Sequence, residues 1–199
     1  EQLDTVSADS ARASAEIARV LIGQGHRHVL VVGLGGQAAT VKARLDGFSR
    51  EAQALAPDCR IDVLVTESQV EQLRRSVRAY FDAGNRPTAV YSLFARGTLV
   101  ALSEFRRRGW HCPQDVSLVG FDDAEWMQAT WPSVAAVVQP VEDIARQAMD
   151  MLFERIEGRE GRPRAALQRC TILLRESVGP AGAAPHTGGP RTAAAPVAK

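Results

Sequence analysis

Two adjacent carboxylates, Asp122 and Asp123, close the apolar run Val116–Phe121. Such a run reads as a strand, and in an open α/β sheet strand ends and helix starts converge on one crevice where ligands are held. A carboxylate there accepts hydrogen bonds from ligand hydroxyls or ring N–H groups. Either acid could equally cap the turn or helix that follows, and spacing alone leaves the two readings level. Gly33-Leu34-Gly35-Gly36 also sits between a strand and a helix. It misses the dinucleotide pattern, because its third glycine comes one position early, and no acid ends the next strand; Glu67 lies just past it. The P-loop pattern is absent too, so these glycines read as a sharp turn. Histidines 26, 28, 111 and 186 have no metal-ligand spacing on a common helix. His26, behind Gly25, reads as a cap on the last carbonyls of a helix. No Ser, Cys or Asp has an identifiable base and orienting partner, and no GxSxG elbow occurs. The expectation is a binding protein without metal or cofactor, not an enzyme.

The elements that would position these residues follow from the apolar pattern. Helices are expected at Ser10–Gln24, Thr40–Leu55, Gln69–Ala83 and Arg96–Arg108. Strands are expected at His28–Gly33, Ile61–Val65, Thr88–Ser92 and Val116–Phe121. This alternation demands right-handed crossovers and an open, mostly parallel sheet with helices on both faces, an α/β fold. The runs Val29–Val32 and Val116–Val119 are nearly continuous, as doubly buried strands require. A strand Val134–Val138, a helix Val141–Glu157 and a strand Thr171–Leu174 come next. From Val178 to Lys199 the chain is Ala, Gly, Pro and Thr with almost no large apolar residue, which reads as a disordered tail.

The balance of 24 basic and 23 acidic residues gives a net charge of +1, without the basic excess that neutralises a phosphate backbone. Arg106-Arg107-Arg108 suits a solvated helix end better than a nucleic-acid patch. Cysteines 59, 112 and 170 are odd in number and far apart, which fits a reducing cytoplasm. The visible N-terminus shows no secretory leader and no apolar run spans a bilayer, so a cytoplasmic protein without membrane contact is expected.

Asp115-Val-Ser-Leu-Val-Gly-Phe-Asp-Asp123 resembles the D-(I/V)-S-(L/V)-(V/I)-G-(F/Y)-D-(D/N) segment of the LacI/GalR family of transcription regulators. Pro132-Ser-Val-Ala-Ala-Val-Val-Gln-Pro140 is similar to the family's P-x-L-T-T-V-x-Q-P at identical spacing. Gly25-His26-Arg27, Arg44-Leu-Asp-Gly-Phe48, Pro87-Thr88-Ala89 and the ending Leu174-Arg175-Glu176-Ser177 match further segments, in family order. The resemblance implies the type I fold of periplasmic binding proteins: two lobes closing on a sugar or nucleobase-like effector, a homodimer, and operator DNA reached only through an N-terminal head absent here. It places an effector-binding and dimerisation domain over 1–177, with the second lobe at 25–130. Segments 8–24 and 141–158 would be remnants of an incomplete first lobe whose helices lack their sheet.

The resemblance further implies an effector pocket of Asp122, Arg44, Thr40, Gln139 and Phe94, and a dimer face of Leu99, Leu102 and Phe105. Arg44 also reads as an ordinary helix-surface charge, and Trp126 and Trp131 as pocket rim, packing or dimer contact. There are departures. Phe94 and Ala95 stand where the family has an Asn-Asp pair, Ala38 where purine responders have arginine, and Ala135 and Ala136 where two threonines are usual. A sugar-binding protein of a transport system shares the fold but calls for a leader. A truncated repressor without function of its own is the third reading.

Overall fold

The computed structural model describes residues 3–35, 38–66 and 69–182. Its elements are β1 (Thr5–Ala8), α1 (Ser10–Gly23), β2 (His28–Leu34), α2 (Ala39–Leu55), β3 (Arg60–Thr66), α3 (Val70–Asp82) and β4 (Ala89–Ser92). They continue with α4 (Ala95–Arg108), β5 (Ser117–Phe121), α5 (Trp126–Ala129), β6 (Ala135–Val138), α6 (Val141–Ile156), β7 (Ala165–Gln168) and β8 (Thr171–Leu173). The main sheet has the order β3-β2-β4-β5-β6-β8, parallel except for the antiparallel β6–β8 pair.

Strand alternation sorts the buried side chains into two cores. Val29, Val31, Tyr91, Val119 and Phe121 face α1 and α2, meeting Ile17, Leu21 and Phe48. Leu30, Val32, Val90 and Leu118 face α3 and α4, meeting Leu73, Val77, Phe81 and Phe105. Burial on both faces is why these strands read as continuous apolar runs. Asp9 starts α1 by accepting from the Arg12 backbone N–H at 3.2 Å, and Gly109, at φ 66°, ends α4 in the left-handed region that a Cβ disfavours.

Three expectations are corrected by packing. Segment 8–24 does not stand with 141–158: α1 buries Ala13, Ile17, Ala18 and Leu21 in the main-sheet core. Helix α6 instead has no buried residue and touches β1, itself paired in parallel with β7 in a separate two-stranded sheet. The tail does not begin at Val178. The Ser117 hydroxyl donates to the Gly179 carbonyl at 3.2 Å and the Ala181 N–H to the Gln24 carbonyl at 2.8 Å. Residues 183–199 lie outside the described residues, as do Gly36 and Glu67. The His26 side chain caps no helix. Its ring lies between the Thr88 hydroxyl at 2.9 Å and the Gly179 carbonyl at 3.1 Å, while Arg27 donates to the Ile22 carbonyl in the last turn of α1. The strands β1 and β7 escape sequence reading because they bury no residue and so form no continuous apolar run, and α5 is a single turn.

Candidate functional site

The chain leaves β2 for α2 on one face of the sheet and leaves β4 for α4 on the other, and β2 and β4 are neighbours. Their carboxyl ends are therefore a topological switch point, the position ligands take in open α/β sheets. Asp122 stands at the end of β5 on the same edge. Its backbone lies at φ 70°, the only left-handed non-glycine among the described residues, pinned by its N–H donating to the Val137 carbonyl at 2.9 Å. Asp tolerates this conformation better than most residues, and such outliers gather where geometry serves a site. The turn aims the carboxylate at Gln139, whose amide donates to Asp122 Oδ1 at 2.5 Å. Of the expected pocket, these two meet directly.

Asp123 is differently employed. Arg175 grips both of its oxygens at 2.7 Å and also donates to the Val134 carbonyl at 2.7 Å. This pairing holds the Asp123 carboxyl below the usual carboxylate range despite its burial. Sequence could not separate the two acids; the structure sets one against Gln139 and the other against Arg175, which joins the start of β6 to the segment after β8.

Arg44 is not a surface charge. It is 7% exposed, projects from the second turn of α2 across the strand ends, and donates from Nη1 to the Leu93 carbonyl at 2.6 Å. Its guanidinium lies 3.6 Å from the Phe121 ring centroid. Burial lowers its pKa, opposed chiefly by the Asp122 charge. Phe94 is the N-cap residue of α4 and offers no side-chain cap. Thr40 is exposed in the first turn of α2 and enters none of the described hydrogen bonds. Thr66, at the end of β3, was not anticipated; its hydroxyl is buried with no partner among the described residues, and only its place at a strand end could have flagged it.

The expected dimer residues divide. Leu99 is 46% exposed and Leu102 half-buried, whereas Phe105 is 1% exposed and belongs to the core with Phe81 and Trp110. It also lines a surface groove of about 950 Å³ with Leu99, Leu102, Trp110 and Trp131. Trp131, 92% exposed, lines this groove. Among the described residues, no cluster of His, Cys, Asp and Glu could hold a metal, and no helix is long and apolar enough to cross a membrane.

The family of periplasmic binding protein-like domains matches residues 18–178. A probable opine utilization operon repressor of Rhizobium rhizogenes is 32% identical over a 183-residue alignment covering 85% of this chain and 90% of that protein. The repressor CytR of Escherichia coli (strain K12) is 27% identical over 88% of this chain but only 52% of its own length. This chain thus spans about half the length of CytR. The solved complex of the transcriptional regulator CelR with cellobiose has a TM-score of 0.79 at 27% identity, covering 89% of this chain and 55% of that one. Motif order, sheet order and these likenesses converge: the chain belongs to the periplasmic binding protein-like domain family, in the form that serves LacI-type transcriptional regulators as their effector-binding domain.

Proposed function

We propose that the chain senses a small molecule and dimerises on behalf of a LacI-type repressor, meeting operator DNA only through a helix-turn-helix head outside this sequence. The observation that carries the reading is the Asp122–Gln139 pair beside buried Arg44 at the carboxyl ends of the strands. A carboxylate held by one amide keeps further lone pairs for ligand donors, and the site offers no nucleophile with a base, so it binds without catalysis. The protein works in the cytoplasm, without cofactor. The main sheet with α1 to α5 is the second lobe; β1, β7 and α6 are what this chain contributes to the first. Phe94 and Thr40 line the cleft from the starts of α4 and α2. Two copies meet through Leu99, Leu102 and Trp131, where an isologous contact suits a two-fold operator.

Among relatives, CelR was solved with cellobiose and the Rhizobium rhizogenes protein is a probable opine operon repressor. The informative screen is therefore the melting temperature of the full chain with cellobiose, ribose, nucleosides and an opine. A ligand that binds only the folded state raises the midpoint, by the equivalent of about 2.7 kcal/mol at a hundredfold excess over Kd. At least one midpoint should rise with concentration; if none moves at millimolar levels, the sensing role fails.

A further inference from the structure

The main sheet and the smaller unit of β1, β7 and α6 are joined at three crossings, after Ala8, after Val138 and after Gln168. The first and third crossings are tied to each other, the Asp9 N–H donating to the Gln168 carbonyl at 2.7 Å. The middle one is tied to the candidate site. There the Gln139 side-chain amide donates to Asp122 Oδ1 at 2.5 Å. The Gln139 carbonyl accepts from the Val141 N–H at 2.9 Å, and the carbonyl of the next residue, Pro140, from the Ile144 N–H at 3.0 Å. Gln139 therefore grips the carboxylate with its side chain and begins α6 with its backbone. Little else fixes that end of the helix. Helix α6 buries no residue and its N-cap gives no side-chain bond. Its middle is tied through Gln147 to Gln168 and its far end through Arg155 to Asp4, both within the smaller unit. At the other end of the bond, Asp122 is held in its left-handed turn by the Val137 carbonyl of β6, two residues before Gln139. A shift of the carboxylate is thus passed to the crossing by side chain and backbone together.

Resting on the cleft reading above, we propose that Gln139 is a positioning residue which, acting through Asp122, transmits occupancy of that carboxylate to the first turn of α6. Ligand donors that take up the remaining lone pairs of Asp122 fix the carboxylate in place. The Gln139 bond then opens less often, and the turn that Gln139 begins opens less often with it. The smaller unit is in this way told whether the site at the strand ends is filled.

The test reads amide hydrogen exchange by NMR in the full chain, once melting temperatures have shown which of cellobiose, ribose, adenosine and octopine it binds. With that probe present, exchange at Val141 and Ile144 should slow by about fivefold or more, the lower end of couplings between sites. Leu73, at the same place in α3 with its N–H on the Gln69 carbonyl, should stay unchanged. Without any probe, Asp122→Gly, which accepts the left-handed backbone, and Gln139→Leu should each speed exchange at Ile144. The double variant should speed it no further than either alone, as for two ends of one bond. The relay is overturned if the probe leaves Val141 and Ile144 unchanged, or if the two substitutions add. Either result beside a raised melting temperature leaves the cleft reading standing; a chain that responds to none of the four probes removes both.

Discussion

Asp122 and Asp123 are neighbours in sequence with opposite surroundings. Asp122 is held in a left-handed turn with one amide on its carboxylate, while Asp123, its side chain 10% exposed, is locked in a two-point grip by Arg175, 15% exposed. Removing one partner of a buried pair leaves the other charge uncompensated, a loss of about 3–5 kcal/mol. Asp123→Ala should therefore lower the urea midpoint by an amount of that order, whereas Asp122→Asn, which tolerates the same backbone, should change it little. Equal losses in the two variants would mean that the division of labour is wrong. His26 makes a separate prediction. Burial holds its imidazole below the ordinary value of 6.5, so the fold keeps the ring neutral and the unfolded chain takes up the proton first. Its contribution is complete above about pH 6.5 and declines as the pH falls below that value. Urea midpoints at pH 7.5 and 5.5 should fall on acidification, and fall less in His26→Gln.

At the scale of elements, the crossing of α1 and α2 sets where Arg44 points. Gly47 is the contact: a Cβ there would collide with the backbone carbonyl of Ala11, which cannot swing aside as a side chain could. Gly47→Ala should cost at least about 1–3 kcal/mol by forcing the helices apart, read as a lower denaturation midpoint, and should weaken ligand binding by shifting Arg44. An unchanged midpoint would show that the helices separate freely. The main elements were legible because their apolar runs are long: β2, β3, α2 and α4 begin and end within one residue of expectation. The strands β1 and β7 were not, since neither buries a residue and their pairing, residues 5–8 with 165–168, joins segments far apart in sequence. Arg44 shows the same limit at the site. Its spacing is compatible with a helix surface, and only the crossing of α2 over Leu93 and Phe121 buries it. Phe105 fails in the other direction. It shares a helical stripe with Leu99 and Leu102, yet the rotation of α4 turns it into the core against Phe81.

The whole molecule is one doubly covered sheet with a small appendage. Asp4 joins β1 to α6 and to the start of β7, accepting from Arg155 at 2.9 Å and from the Arg164 backbone N–H at 2.7 Å. The outer stripe of α6, with Met149, Leu152, Phe153 and Ile156 each 47–70% exposed, stays uncovered. On the other side, Leu99 and Trp131 present apolar surface beside the groove. If two copies meet there, Leu99→Glu combined with Trp131→Glu should convert a dimer to a monomer in sedimentation velocity, with the circular dichroism spectrum unchanged. A wild type that sediments as a monomer at high concentration would refute that face. The central claim is that the carboxylate at the end of β5 reads a small molecule. It is tested most directly by calorimetric titration of whichever ligand raises the melting temperature, into the wild type and into Asp122→Asn. The account predicts at least tenfold weaker binding in the variant, because removing a hydrogen bond to a charged group costs about 1.5–3 kcal/mol, with folding stability preserved. Equal affinity in the two proteins would contradict it.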